Sequence, residues 1–389
     1  MIKLRNSISL KITVLVLCGA SAVFALALAY SYVSSRRMIL AQAEKSARSL
    51  TLSVARRIEQ EFRAAGKVPK ALAAVLETSN PDKDALLRLL RRLVKESREV
   101  YGSTAAFEPY AFDPKLRWFA PYYYKGKSGI EYEQLGSESY DYFTKDWYHL
   151  PKVLRAPVWT EPYFDEGGGG VMMTTCGRPF FEQGKDGVSK VKGVVTVDLS
   201  LQWLTDLLSS VHGGRTGYSF IISDTGAFVT HPDPKLIMSE SMFSLAEERH
   251  AEVLRTAGLA MIREDSGFMN IGSALTGDDS FLAYARIPSP GWSLGVVFPK
   301  RELLAQMNSL HRRTVLLAAG GLILLLVVSG LVARSIARPL RRMAAATDQV
   351  AQGDLDIDLS DIHGEDEVGQ LAQSFMRMTH GLKERDRIR

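Results

Sequence analysis

Six residues in the middle of the chain have the chemistry to hold a small charged molecule: Lys145, Trp147, Tyr148, Tyr163, Asp165 and Asp198. A zwitterion needs a cation or amide for its carboxylate, a carboxylate for its ammonium, and aromatic walls that exclude water and strengthen both. Lys145 supplies the first, Asp165 and Asp198 the second, and Trp147, Tyr148 and Tyr163 the third. The plain alternative puts Trp147 and Tyr148 in the core and Lys145 in solvent, with Asp165 capping a turn before the glycine run 167–170. Other patterns carry less. Gly126-Lys127-Ser128 looks like the end of a phosphate loop, but Pro121 stands at the earlier glycine position and no helix is expected to follow. Gly167 to Gly170 reads as a flexible turn rather than a phosphate cradle. The seven histidines are scattered without ligand spacing, so no metal site is expected. No Gly-x-Ser-x-Gly, kinase signature or defensible pair of catalytic carboxylates is found. The chain therefore reads as a non-enzyme that requires no cofactor.

The elements that must position these residues begin with composition. The chain has 389 residues, 46% of them apolar, enough for two or three domains with buried cores. The net charge of +5 arises from interleaved acids and bases, not the basic stripe of a nucleic-acid binder. Two cysteines, Cys18 and Cys176, give no internal disulfide framework. Cys176 reads as a small buried hydrophobe, with an intermolecular bridge as the alternative.

Thr314 to Ala333 is uncharged and flanked by Arg312, Arg313 and Arg334. As a helix it spans the roughly 30 Å of a bilayer core. Ile12 to Val33 is a second such run, read as an uncleaved anchor, although Ala25-Leu26-Ala27 also offers a signal-peptidase site. Lys3, Arg5 and Lys11 before it, and Arg334, Arg338, Arg341 and Arg342 after the second run, favour a cytoplasmic location for both ends. Ser21, Ala25 and Ala29 lie on one ridge where a neighbouring helix could approach. The expected divisions are 1–11 cytoplasmic, 12–33 and 314–333 membrane-crossing, 34–313 extracytoplasmic and 334–389 cytoplasmic.

Within the long outer segment, Ala43, Ala47, Leu50, Val54, Ile58 and Phe62 recur at helical steps. Pro69 and Asn80-Pro81-Asp82 are expected to divide further helical stretches, one of them Ala85 to Ser97. Short β-rich runs follow: Ser103–Phe107, Trp118–Tyr124, Val158–Phe164, Val171–Phe181 and Val191–Asp198, the third and fourth reading as an antiparallel hairpin. After a helix near Leu201–Ser210 come Tyr218–Ser223 and Ala227–His231 around Asp224-Thr225-Gly226, then Phe268–Ile271, Phe281–Arg286 and Trp292–Phe298. Two five-stranded sheets with helices on one face is an α+β fold.

The long helix, the two sheet modules and the phrases Gly213-Gly214-Arg215-Thr216-Gly217-Tyr218 and Val229-Thr230-His231-Pro232-Asp233 resemble the double Cache sensor domain of bacterial receptors. The resemblance covers about Ser34 to Leu310. It implies two PAS-like modules, membrane-distal about 68–210 and membrane-proximal about 211–300. In amino-acid-binding members the distal module carries Arg-x-Trp-Tyr, Tyr-x-Asp and a strand-end Asp. Here these correspond to Lys145-Asp146-Trp147-Tyr148, Tyr163-Phe164-Asp165 and Asp198. The resemblance implies that Trp147, Tyr148 and Tyr163 line the pocket and that Asp165 and Asp198 hold an amine. Lys145 stands where the family has Arg; a point charge replaces a two-bond carboxylate clamp, so an amine or another small polar metabolite stays open beside an amino acid.

After the second apolar run, Ile336, Leu340, Met343, Thr347 and Val350, and then Val368, Leu371, Phe375, Met378 and Leu382, alternate steps of three and four, the seam of a coiled coil. Pro339 at the entry, Gly353-Asp354-Leu355 between the helices and Asp366-Glu367-Val368-Gly369-Gln370-Leu371 resemble a HAMP relay domain, with Met376 where many relatives have Asn. The resemblance implies a parallel four-helix bundle made by two chains, with Pro339, Leu340, Met343, Val350, Val368, Leu371, Phe375 and Met378 as relay residues. Two amphipathic helices on the membrane surface are the alternative.

The expectation is therefore a two-pass receptor of the bacterial inner membrane, with its sensor periplasmic or extracellular. It would bind a small ligand, dimerise through the HAMP domain and the first helix, and signal to a cytoplasmic partner. Its alternatives are the sensor portion of a regulated phosphatase, kinase or cyclase, and a non-binding membrane scaffold. Only seven residues follow Leu382, too few for a catalytic domain.

Overall fold

Apolar residues at every third or fourth position from Ala43 onward produce one helix, α1 (Ile8–Thr78), in a computed structural model that describes residues 8–166, 168–183, 189–332, 335–336, 338–359, 362 and 367–388. Lys3, Arg5, Gly167, Arg334 and Asp366, singled out above, lie outside these residues. Residues 39–305 form one compact unit and the remainder a second.

In the first unit α1 buries a stripe comprising Ala47, Val54, Ala55, Ile58, Phe62, Ala65, Leu72, Ala73 and Leu76. Pro69 does not divide the helix as expected but lies inside it. Its missing N–H forfeits one backbone bond, yet buried residues on both sides hold the turn against the sheet, and packing overrides the local preference. The next helix, α2 (Lys83–Glu96), is capped by Asp82, whose carboxylate accepts the Ala85 N–H at 2.7 Å, and it buries Leu86, Leu90 and Val94.

The first sheet has seven strands rather than five: β1 (Gly102–Phe107), β2 (Ala120–Gly126), β3 (Gly129–Leu135), β4 (Val158–Trp159), β5 (Tyr163–Phe164), β6 (Met172–Gln183) and β7 (Ser189–Ser200). The order is β3-β2-β1-β7-β6-β4, with β5 also on β6. The unforeseen β3 is a largely exposed edge strand in which Ile130 and Tyr132 alternate with Glu131 and Glu133, a run too short and too polar to have stood out in the sequence. The expected run 158–164 is cut in two at Thr160. That residue is tied to the facing strand because Thr175 N–H donates to its hydroxyl and the Thr174 hydroxyl donates to its carbonyl. Both pieces pair antiparallel with β6, as the hairpin reading required. Two short helices accompany this sheet, α3 (Asp146–Leu154) and α4 (Gln202–Ser209).

The second sheet comprises all five expected runs: β8 (Ser219–Ile222), β9 (Phe228–Thr230), β10 (Ser266–Gly272), β11 (Ser280–Ile287) and β12 (Trp292–Pro299), in the order β10-β11-β12-β8-β9. Between β9 and β10 lie two helices absent from the sequence reading, α5 (Met242–Glu248) and α6 (Glu252–Arg263). Their buried Leu254, Ala257 and Met261 do follow helical spacing.

The two sheets share a core with α1. Phe62 stands edge-on to Trp159 of the first sheet, with centroids 4.8 Å apart, and to Trp292 of the second at 5.3 Å. One turn away, Glu59 accepts the Ser289 N–H at 2.9 Å and its hydroxyl at 2.8 Å.

In the second unit, the Arg312–Val332 portion of α7 (Lys300–Val332) has mean hydropathy 2.8 and no buried residue; the apolar window of α1 has 2.2 and is equally unburied. Both are long and apolar enough to cross a membrane. Then come α8 (Arg338–Ala351) and α9 (Glu367–Ile388), whose Met343, Ala346 and Ala372 form a small core with Leu359 of the segment between them, and Phe375 packs on it. The expected seam divides. Met343 and Phe375 meet within the chain, Pro339, Val350 and Val368 are half-buried, and Leu340, Leu371 and Met378 are exposed.

Phe62→Ala is expected to lower stability by about 3–5 kcal/mol, the usual loss for a large buried aromatic. Denaturant unfolding of the full chain, followed by tryptophan fluorescence, measures it; a loss under about 1 kcal/mol would mean that other contacts join the sheets.

Candidate ligand site

Strand pairing sets the centre of the site. Asp198 of β7 lies between Gly102 of β1 and Thr175 of β6, so its side chain shares a sheet face with theirs. The opposite face, with Val195, Val197 and Leu199, packs toward the core containing α1 and α2. On the Asp198 face Tyr122 and Tyr124 of β2 stack at 5.4 Å. The missing side chain at Gly102 makes room for Tyr122, since a Cβ there would lie 2.3 Å from its hydroxyl. At Gly177 the sheet is again bare, and α3 sits on it: a Cβ would lie 2.5 Å from the Trp147 carbonyl and from Pro151. Two side-chain absences thus bring tyrosines and α3 down onto a carboxylate.

Asp198 is 2% exposed and Asp165 4%. The Thr175 hydroxyl donates to Asp198 Oδ1 at 2.7 Å, and the Tyr163 hydroxyl, 2.7 Å from Thr175 Oγ1, donates to it in turn. The Tyr122 hydroxyl faces Asp198 but is buried without a partner of hydrogen-bonding geometry among the described residues. Burial pushes the Asp198 carboxyl up to about 7; Thr175 opposes the rise and Asp165 adds to it. Burial raises the Tyr122 and Tyr163 hydroxyls well above their ordinary range, so both remain protonated donors. Among the described residues no cationic side chain lies within ion-pair distance of Asp198.

Asp165 caps the glycine turn, accepting the Gly169 N–H at 2.8 Å, so the capping alternative correctly describes one of its bonds. The turn is also a wall. A Cβ on Gly168 would lie 2.5 Å from the Tyr122 ring and one on Gly169 1.8 Å from the Tyr101 hydroxyl, and no side chain fits at either place. Burial, and then Asp165, push Tyr101 up to about 12.

The six predicted residues are only partly assembled. Tyr163, Asp165 and Asp198 belong to one cluster. Trp147 is buried beside Tyr140, which also feels Asp165 and Asp198. Lys145, half-buried at the entry to α3, holds its ammonium 5.0 Å over the Tyr140 ring and forms no ion pair among the described residues. Tyr148 is fully buried and its hydroxyl donates to Glu108 at 2.5 Å, while Glu108 also pairs with Lys152 at 2.7 Å. Its role is to fix α3, and its hydroxyl is already engaged. The sequence reading missed Tyr101, Tyr122, Tyr140 and Thr175. Thr175 could have been found only from the β6–β7 register, whereas the Tyr122-Tyr123-Tyr124 run was visible but gave no face.

A second feature concerns transmission. The loop Gly213–Gly217 lies directly on β12: Cβ atoms on Gly213 and Gly217 would lie 2.0 and 2.3 Å from the Val297 carbonyl. Its next contact is Glu302 in the first turn of α7, whose carboxylate accepts the Thr216 N–H at 2.9 Å, the Arg215 N–H and the Thr216 hydroxyl. These bonds, the Thr216 hydroxyl first, hold the Glu302 carboxyl below its ordinary range.

Residues 86–206 match the first PDC sensor domain of methyl-accepting chemotaxis protein-like receptors, and residues 331–384 match the HAMP domain. The chain is 28% identical over 246 residues to the methyl-accepting chemotaxis protein McpG of Pseudomonas putida, covering 63% of this chain and 36% of that protein. It is 24% identical over 249 residues to McpC of Bacillus subtilis, covering 64% and 34%. It therefore spans about a third of the length of these relatives. Among solved structures, mmHK1S-Z2, an extracellular domain of the histidine-kinase class, aligns with TM-score 0.57 and 26% identity, covering 68% of this chain and 99% of that one.

Because the folded carboxyl of Asp198 titrates near 7 against an ordinary 3.8, the folded state binds the extra proton between these values. Its contribution to stability is therefore greatest at low pH and declines as pH rises from about 4 to 7. Asp198→Asn is expected to flatten that decline; equal slopes in denaturant titrations of the two proteins across this range would contradict the assignment.

Proposed function

We propose that this chain, a PDC-type sensor domain joined to a HAMP domain, is the sensing and relay part of a two-pass receptor in a bacterial inner membrane. Its ligand is a small molecule bearing an ammonium group, an amino acid or an amine, bound outside the cytoplasm. The observation that carries this reading is Asp198, a buried carboxyl beside Asp165, held by hydroxyls and lacking a cation of its own. A carboxylate in such a place is costly unless a positive charge joins it. An ammonium arriving there would lower the Asp198 pKa, release a proton and contact the Tyr122 and Tyr163 walls. Lys145, with its charge on the Tyr140 ring, stands where a ligand carboxylate would lie; a plain amine would leave it unused. The relatives carry the name of methyl-accepting chemotaxis proteins, which favours an output through partner proteins rather than through catalysis in this chain. The likeness to mmHK1S-Z2 keeps a histidine-kinase output as the second reading.

Transmission follows from the loop that holds Glu302. A ligand can shift an equilibrium only through different affinities for two arrangements. In this reading, closure around Asp198 alters how the second sheet and its Gly213–Gly217 loop hold the start of α7, and α7 passes a small displacement to α8 and α9. The exposed Leu340, Leu371 and Met378 supply the half-seam that a second copy completes in a parallel bundle. Arginines after the second apolar helix favour a cytoplasmic location for that end.

Thermal unfolding of the full chain in lipid nanodiscs, screened against amino acids, amines and small carboxylates, tests the ligand class. A hit should bear an ammonium, bind more tightly as pH rises through 7, and lose at least tenfold in affinity in Asp198→Asn. Hits confined to carboxylates, or a hit indifferent to Asp198→Asn, would overturn the reading. The relay has its own test. Met378→Cys should cross-link between copies at a rate that the ligand changes; adding Glu302→Ala should leave binding intact and abolish the change.

A further inference from the structure

The chain carries a cavity apart from the Asp198 cluster. It has a volume of about 950 Å³ and lies between α4 with the ends of β6 and β7 on one side, and the loop 212–219 with the end of β9 on the other. Such a volume suits a drug-sized molecule. Its apolar walls include Met172, Leu201 and Leu208 from the first module and Tyr218, Val229 and Ile237 from the second. Its charged and ionisable lining is one-sided: Arg215, His212 and His231 reach it, and among the described residues no carboxylate does.

Two of these groups lack partners. The exposed Arg215 guanidinium makes no ion pair among the described residues; its backbone N–H is engaged by Glu302, whose carboxylate also feels the Arg215 charge. His231 Nδ1 accepts the Asp233 N–H at 2.9 Å, which leaves the ring proton on Nε2, and that N–H is buried with no acceptor among the described residues. A buried donor without an acceptor is an unmet demand. Tyr218 and Phe228 pack edge-on to the His231 ring with centroids 5.2 Å away, so the aromatic packing fixes its orientation.

We infer that this cavity is a second ligand site, for a monocarboxylate with an apolar or aromatic body. The carboxylate meets Arg215, with His212 and His231 as further donors, and the body lies on Met172, Leu208 and Val229. Nothing in the cavity would neutralise an ammonium, so its ligand differs in class from that of the Asp198 cluster. The position also gives it leverage. Arg215, Thr216, Gly217 and Tyr218 belong to the loop whose backbone Glu302 grips at the start of α7, so an occupant touches the element that holds that helix.

Phenylbutyrate is the probe, with phenylbutanol as its uncharged counterpart, and unfolding temperature of the full chain in lipid nanodiscs is the readout. Phenylbutyrate should raise that temperature in a saturable way, and phenylbutanol should not. Arg215→Gln, which retains the backbone bond to Glu302, should weaken the apparent affinity about tenfold. Thr205→Trp, on the exposed cavity-lining side of α4, should fill the space and abolish the shift while the unliganded protein unfolds as before. No shift up to the solubility of phenylbutyrate, an equal shift with phenylbutanol, or a shift that both variants leave intact would overturn the inference.

Discussion

The buried stripe of α1 is the surface on which both sheets are built. Residues from Ala47 to Leu76 form a common wall, and Phe62 stands between Trp159 and Trp292, one from each sheet. Each sheet turns one apolar face to this wall, and the second sheet covers its other face with α5 and α6. The same constraint explains why Pro69 is tolerated: losing one backbone bond costs less than separating the helix from two cores. It also explains Glu59, which is nearly buried yet satisfied by Ser289 of the second module and by Arg63.

With one face of the first sheet committed to α1 and α2, the other holds the Asp198 cluster. Its chemistry rests on two bare positions. Gly102 admits the Tyr122 ring and Gly177 admits α3. The result is a carboxylate in a dry, hydroxyl-lined place where an isolated negative charge is poorly tolerated, and a pKa near 7 expresses that intolerance. Gly168 and Gly169 close the site at a distance no side chain permits, so the glycine turn serves close approach as well as reversal of the chain.

Glu302 stands at the other end of the sensor. It joins the Gly213–Gly217 loop to α7 through hydrogen bonds to backbone and hydroxyl, and these are directional, unlike apolar packing. A link of this kind has two states, made and broken, which suits a relay better than a continuous deformation. The exposed half-seam of α8 and α9 shows the same economy: a single chain buries Met343 and Ala372 but leaves Leu340 and Leu371 uncovered.

The sequence by itself determined the broad plan: two uncharged helices, a long amphipathic helix, two strand-rich modules and a helical pair with three–four spacing. These are repeating signals set by local chemistry, and Asp198 and Tyr163 stood out through their resemblance to the motif of amino-acid-binding double Cache domains. Tertiary structure alone decided which of them meet. Thr175 joins Asp198 because of a strand register fixed by the whole sheet; Tyr148 turns to Glu108, forty residues earlier in the chain; and the short, exposed edge strand 129–135 is held by its pairing with β2. Hydrophobic period is written in neighbouring residues, whereas register, cavity walls and the pKa of a buried acid depend on residues a hundred positions apart.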